Sequence, residues 1–169
     1  MTVLADEFSQ TFREEHREIR DTLLDLIRAF EGGDRLRIGQ LLGRAATLTG
    51  PHFRYEEAAL YPALVEIFGE DYIEQLFGDH DRAIGGAKRL GELAGQAALS
   101  DEDVTEATRI IRAILPHVSD CDGLSIMVEV LPDEKVQSIF DARDRSLEEG
   151  LDLLAWADRV RPRPVAAPA

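Results

Sequence analysis

Four histidines are an ordinary number for 169 residues, but each falls in a different segment of helical periodicity: His16, His52, His80 and His117. Two of them are followed within about one helical turn by further ligand-type side chains. His52 precedes Glu56, and His117 precedes Asp120, Cys121 and Asp122. On a helix, residues four apart differ by roughly 40° about the axis, so His52 and Glu56 face one way and can reach one cation. Asp120 or Cys121 shares the His117 face, whereas Asp122 at i+5 lies roughly 140° round. A bulge or local unwinding, which Pro116 and Gly123 would permit, is needed to bring Asp122 in. Imidazole suits iron, zinc or copper, and a carboxylate suits harder cations or bridges two of them. One ligand-bearing segment per helix, repeated four times, is how a helical bundle holds metal in its core.

Each of these residues has a plainer explanation when taken singly. A His–Glu pair at i, i+4 is common on helix surfaces, a lone cysteine is often a small buried hydrophobe, and aspartates ordinarily face water. His16, however, borders an apolar stripe between Phe12 and Ile19, and His80 lies between Leu76 and Ile84. Neutral imidazoles buried without partners would each cost a few kcal/mol. Convergence on a metal accounts for all four at once.

The elements that must position them follow from the apolar spacing. Phe8, Phe12, Ile19, Leu23, Leu26, Ile27 and Phe30 predict a helix over 5–31, closed by Gly32 and Gly33. Asp34 caps a second helix over 35–49. Gly50-Pro51 predicts a break just before His52, with the helix resuming through Tyr61, interrupted again at Pro62 and followed by a short helix over 63–68. A third long helix is expected over 70–98, in which Gly85, Gly86 and Gly91 could allow close helix approach. Ser100 with Asp103 forms a capping box opening a fourth helix to Leu131. A fifth, amphipathic helix spans 133–159. Its apolar face packs on the same chain by default, with a homodimer surface as the alternative. The chain thus reads as one all-α domain over 1–160, with a Pro- and Ala-rich tail, 161–169, expected to be disordered.

Composition narrows the partners. With 33 acidic against 19 basic residues the formal charge is −14, which disfavours nucleic acid and anionic membrane surfaces. A single cysteine excludes an intramolecular disulfide. The N-terminal residues carry no signal-peptide pattern, and no apolar run reaches the length of a membrane span. The expected compartment is the cytoplasm.

The order of a histidine on the first helix, His-x-x-x-Glu followed by Leu-Tyr-Pro on the second, a histidine on the third, and a histidine with an acid soon after on the fourth resembles the hemerythrin-like, HHE cation-binding family. The likeness covers roughly residues 8–131, and HFRYEEAALYPAL is its most specific piece. It implies an up-down-up-down four-helix bundle, here with an additional C-terminal helix, holding a non-haem di-iron centre that is oxo- or hydroxo-bridged. Carried over residue by residue, His16 and His52 would bind one iron, His80 and His117 the other, Glu56 would bridge them, and Asp122 would be the second bridge. Two departures stand out. Leu76 occupies the place of a second histidine found on the third helix of oxygen-carrying hemerythrin, which would open a coordination position. Cys121 occupies the i+4 place where many members of the wider family have an acid.

The resemblance implies a protein that binds or senses O2, NO or peroxide, in the setting of oxygen binding, iron handling or stress response. A di-iron enzyme, either an O2-activating oxidase or oxygenase or a peroxide-decomposing protein, is the second reading. A bundle with a structural, zinc or mononuclear metal is the third. No nucleotide loop and no separate nucleophile–base constellation points elsewhere.

Overall fold

The computed structural model describes residues 3–165, and these are helical almost throughout with no strand among them. The elements are α1 (Val3–Glu31), α2 (Arg35–Tyr55), one turn of π-helix (Glu56–Leu60), α3 (Tyr61–Phe68), α4 (Glu70–Ala94), α5 (Asp101–Asp122), α6 (Ser125–Val128), α7 (Asp133–Glu149) and α8 (Leu153–Arg159). The helix ends follow local chemistry. Gly33 closes α1 at a φ of 67°, the Asp34 side chain accepts from the Arg37 amide at 3.0 Å, and Ser100 and Asp103 form a reciprocal capping box.

Several boundaries differ from the expectation. Pro51 does not break α2. The helix runs through it to Tyr55, and the irregularity comes instead as the π-turn that begins at Glu56. Proline there sacrifices one hydrogen bond, but α2 is packed on both α1 and α8, and that packing keeps it helical through the weak point. A π-turn inserts an extra residue, which rotates the following side chains relative to an ideal helix. The fourth helix stops at Asp122 rather than Leu131, with α6 a separate single turn. The fifth is two helices, because Gly150 takes a left-handed φ of 60° and Asp152 starts α8 by accepting from the Ala155 amide at 2.8 Å.

The four site-bearing helices form a closed ring of contacts. The α1 helix packs on α2 and α5, and α4 packs on α5 and α2. At one crossing of this ring, a Cβ at Gly86 would lie 2.9 Å from Ile110 Cγ2, so glycine permits the close approach of α4 and α5. The C-terminal helices lie on the outside of the ring, α7 against α1, α2 and the π-turn, and α8 against α2 and α4. The closest approach is at Gly50, where a Cβ would stand 2.6 Å from the Asp152 carbonyl carbon and 2.7 Å from the Leu153 nitrogen.

The apolar core is divided along the bundle. One cluster gathers Phe8, Phe12, Leu60, Leu64, Leu76 and Ile139 at one end. Another gathers Ile19, Leu26, Phe30, Leu90, Leu93 and Ile111 at the other, and a third surrounds Trp156. Between the first two lies a buried polar layer. His16 sits between Phe12 and Ile19 on α1, and His117 between Ile111 and Leu124. No helix among the described residues is long and apolar enough to cross a membrane.

Candidate metal centre

Glu56 is the centre of that polar layer, with none of its surface exposed. Its two carboxylate oxygens face different neighbours. Oε1 lies 3.2 Å from His52 Nε2, 4.0 Å from His16 Nε2 and 2.9 Å from Cys121 Sγ. Oε2 lies 3.1 Å from His80 Nε2 and accepts from the Tyr61 hydroxyl at 3.5 Å. Two groups of ligand-type atoms result, each within 4.8 Å of one another throughout: His16, Glu56 and Cys121, and Glu56, His80 and His117. His16 and His52 approach Nε2 to Nε2 at 3.3 Å, and the His80 and His117 rings meet edge to face at 4.9 Å.

The other ring nitrogens explain why the Nε2 atoms converge. The Nδ1 of His16 donates to the Phe12 carbonyl oxygen at 2.9 Å. His52 Nδ1 pairs with Glu15 at 2.8 Å, His80 Nδ1 with Glu57 at 2.9 Å, and His117 Nδ1 with Asp79 at 3.2 Å. An acceptor on Nδ1 fixes the tautomer that leaves the Nε2 lone pair inward, and it raises the basicity of the ring as a ligand. The supporting acids follow the ring of helices. Glu15 on α1 serves α2, Glu57 after α2 serves α4, and Asp79 on α4 serves α5.

Asp122, on α5, stands at the corresponding fourth place, facing the outer nitrogen of His16. Its Oδ1 lies 3.7 Å from His16 Nδ1, and its Oδ2 lies 3.8 Å from Arg13 Nε. The structure therefore brings His16, His52, Glu56, His80 and His117 together and leaves Asp122 outside the cluster. α5 stays helical through Asp122, so Cys121 at i+4 is the residue against Glu56, while Asp122 at i+5 meets only the outer side of His16, its Oδ1 buried and without a hydrogen-bond partner among the described residues.

Further supports come from distant parts of the chain. Glu15 also accepts from the Tyr55 hydroxyl at 2.6 Å and from Arg143 Nε of α7 at 2.6 Å. Arg161 clamps Glu57 with two hydrogen bonds, 2.7 and 3.0 Å, and Asp81 with a third at 2.6 Å. Arg161 itself is buried, so the part of the C-terminal segment within the described residues is anchored beside the site; residues 166–169 lie outside them. Glu15, Asp79, Arg143 and Arg161 carry no spacing signal of their own. The one available clue was that Glu15 and Asp79 each immediately precede a site histidine.

The electrostatics are those of a tightly coupled buried cluster. At Glu56 burial favours the neutral acid, but the His52 and His80 rings outweigh it and hold the carboxyl well below its usual range. Burial likewise opposes charge at His52, yet Glu56 and Glu15 hold that imidazole up to about 10. His80 is raised in the same way by Glu56 and Glu57. Burial, reinforced by the His52 charge, lowers His16 to about 4. Burial and then Glu56 push the Cys121 thiol well up, so it is the donor to Glu56. A cation fits this arrangement. The donors are the nitrogen and oxygen types that iron and zinc take, and His117 Nε2 is buried with no hydrogen-bond partner among the described residues.

Fold and site together define a helical cation-binding protein. The hemerythrin HHE cation binding domain family matches residues 7–124, most of the chain, and the chain belongs to that family. Comparisons with curated proteins and with solved structures gave no match.

Proposed function

We propose that this chain is a non-haem di-iron protein in which a bridging carboxylate joins two irons inside an up-down-up-down four-helix bundle, with the C-terminal helices added outside. The observation that carries the reading is the two-sided use of Glu56, whose Oε1 is near His16 and His52 while Oε2 is near His80. One iron is assigned to His16 and His52, the other to His80 and His117. When bound, the metal pair supplies reducing electrons and an exchangeable position for a small ligand. The protein's own part is to hold four imidazoles in one tautomer through Phe12, Glu15, Glu57 and Asp79, and to keep water out with the apolar layers on either side.

The ligand class is a diatomic or a peroxide. An apolar cavity of about 150 Å³ lies against His16, His52 and His117, walled by Leu23, Ala46, Ala87 and Leu90 among others. Apolar cavities stay dry and take up apolar guests, which suits O2 and NO. The same cavity exceeds what a diatomic needs, and this favours one alternative, a di-iron oxidase acting on a small apolar substrate. The proposed partners do not include nucleic acid or membrane, in keeping with the −14 charge, and the proposed compartment is the cytoplasm.

Iron analysis of the purified chain, with optical spectra of the reduced protein before and after air, tests the proposal. A reversible visible charge-transfer band supports ligand binding. Consumption of peroxide or O2 with turnover supports the enzyme. A chain that takes up no iron overturns both.

A further inference from the structure

We infer that Cys121 is a thiolate ligand of the cation held by His16 and His52, so that the two halves of the site are chemically unequal. The inference rests on the cation reading above and adds a ligand to it. On the Oε1 side of Glu56, His16, Glu56 and Cys121 offer ligand atoms all within 4.8 Å of one another, and His52 Nε2 lies against both His16 Nε2 and Glu56 Oε1. Their separations are 3.3 Å between the two nitrogens, 3.2 and 4.0 Å from the nitrogens to Oε1, and 2.9 Å from sulfur to Oε1. Metal–nitrogen and metal–oxygen bonds of about 2.0–2.1 Å arranged tetrahedrally require ligand atoms about 3.3 Å apart. His52 Nε2 is at that spacing from both His16 Nε2 and Oε1, and the Cys121 sulfur, now hydrogen-bonded to Oε1, belongs to the same group of ligand atoms as His16 and Glu56.

On α5 the register places Cys121, four residues after His117, completely buried with its sulfur 2.9 Å from Glu56 Oε1, whereas Asp122, whose buried Oδ1 has no hydrogen-bond partner among the described residues, lies 3.7 Å from the outer nitrogen of His16. Charge gives a second, independent reason. Among the inward donors Glu56 supplies a single negative charge for two cations, and a buried cation needs more compensation than that. A thiolate supplies it, releasing its proton to solvent as the cation enters. On the Oε2 side, among the described residues, Glu56, His80 and His117 form a group of ligand atoms that does not include Cys121, and the neighbouring hydroxyl is Tyr61, 3.0 Å from His80 Nε2. Sulfur selects softer, thiophilic ions, so the His16 half is the one that takes such an ion first.

Cobalt(II) titration of the full chain distinguishes the possibilities, since thiolate bound to cobalt gives an intense near-ultraviolet charge-transfer band and any cobalt site gives visible ligand-field bands. The chain has one cysteine, so a thiolate band in the wild type can come only from Cys121, even if a variant does not fold. The expected result is a sulfur band that saturates with the first cobalt, its loss in Cys121→Ser and Cys121→Ala with the visible bands retained, and a fall in cobalt affinity of at least about tenfold, the lower end of what even an outer partner of a ligand costs. Cobalt bound with ligand-field bands and no sulfur band overturns the inference and leaves the cation site standing. No binding of cobalt or of iron overturns the cation reading, and the inference with it.

Discussion

At the scale of single residues, the site separates side chains that would touch the cation from those that aim them. Glu56 is the residue on which both halves depend, so Glu56→Ala or His52→Ala is expected to remove most bound iron while circular dichroism stays helical. Asp79→Asn and Glu15→Gln act through His117 and His52. They should weaken iron binding by about 10–100-fold without abolishing it, as outer partners do. Competitive chelator titration measures both, and full iron retention in Glu56→Ala would exclude the bridging role. The acids that aim the rings were hard to read in the sequence because each serves a histidine on a different helix, and nothing in the spacing within one helix reveals that pairing. Glu57, adjacent to Glu56, carries no sign in the sequence of which histidine it serves. The π-turn and Arg161 make it the support of His80.

At the scale of elements, two features decide whether α2 and α5 present their ligands. The first is the contact of Gly50 with the start of α8. Gly50→Ala forces backbone against backbone, which cannot rotate away, and should destabilise by about 1–3 kcal/mol. Gly39→Ala, on the same helix with nothing within 4 Å of the added carbon, should stabilise by about 0.5–1 kcal/mol. Equilibrium urea unfolding of the pair measures the contrast, and equal effects would show that the α2–α8 contact is not tight. The second is the cap of α5. The Ser100 side chain and amide hold the Asp103 carboxyl below its usual value. A folded value below the unfolded one means that this stabilisation is present above the unfolded pKa and is lost as pH falls through the folded one. Thermal melts of the wild type and Asp103→Asn should therefore converge as pH is lowered through the acidic carboxylate range, and stay apart at neutral pH.

At the scale of the whole molecule, the C-terminal helices and the segment after them are part of the site's support, although they add no inward ligand. Arg143 of α7 reaches Glu15, and Arg161 beyond α8 reaches Glu57 and Asp81. Arg161→Met removes the hydrogen-bonded cation shared by two buried carboxylates, leaving Asp81 with Arg163 at 3.8 Å and Glu57 with His80, and should cost up to about 3–5 kcal/mol, as breaking a buried ion pair does. It should also lower iron affinity, because His80 loses a fixed partner. Removal of residues 161–169 should do the same. An unchanged melting temperature and iron content in the truncated protein would mean that the anchor is idle.

The chemistry was legible in the sequence wherever ligand and framework share one helix. His52 with Glu56 follows from a four-residue spacing, and the apolar stripes around His16 and His80 follow from the same 3.6-residue period, so the sequence by itself determined an all-helical chain with buried imidazoles. The tertiary structure decided the rest. It kept α2 helical through Pro51 and moved the irregularity to the π-turn at Glu56. It divided the fifth helix at Gly150, set Cys121 rather than Asp122 against Glu56, and brought Arg161, at the start of the expected tail, onto Glu57. The physical reason is common to these outcomes. Each turns on a contact between segments far apart in the chain, where the packing of one element overrides the local preference of another, and such a contact leaves no periodic trace in either segment.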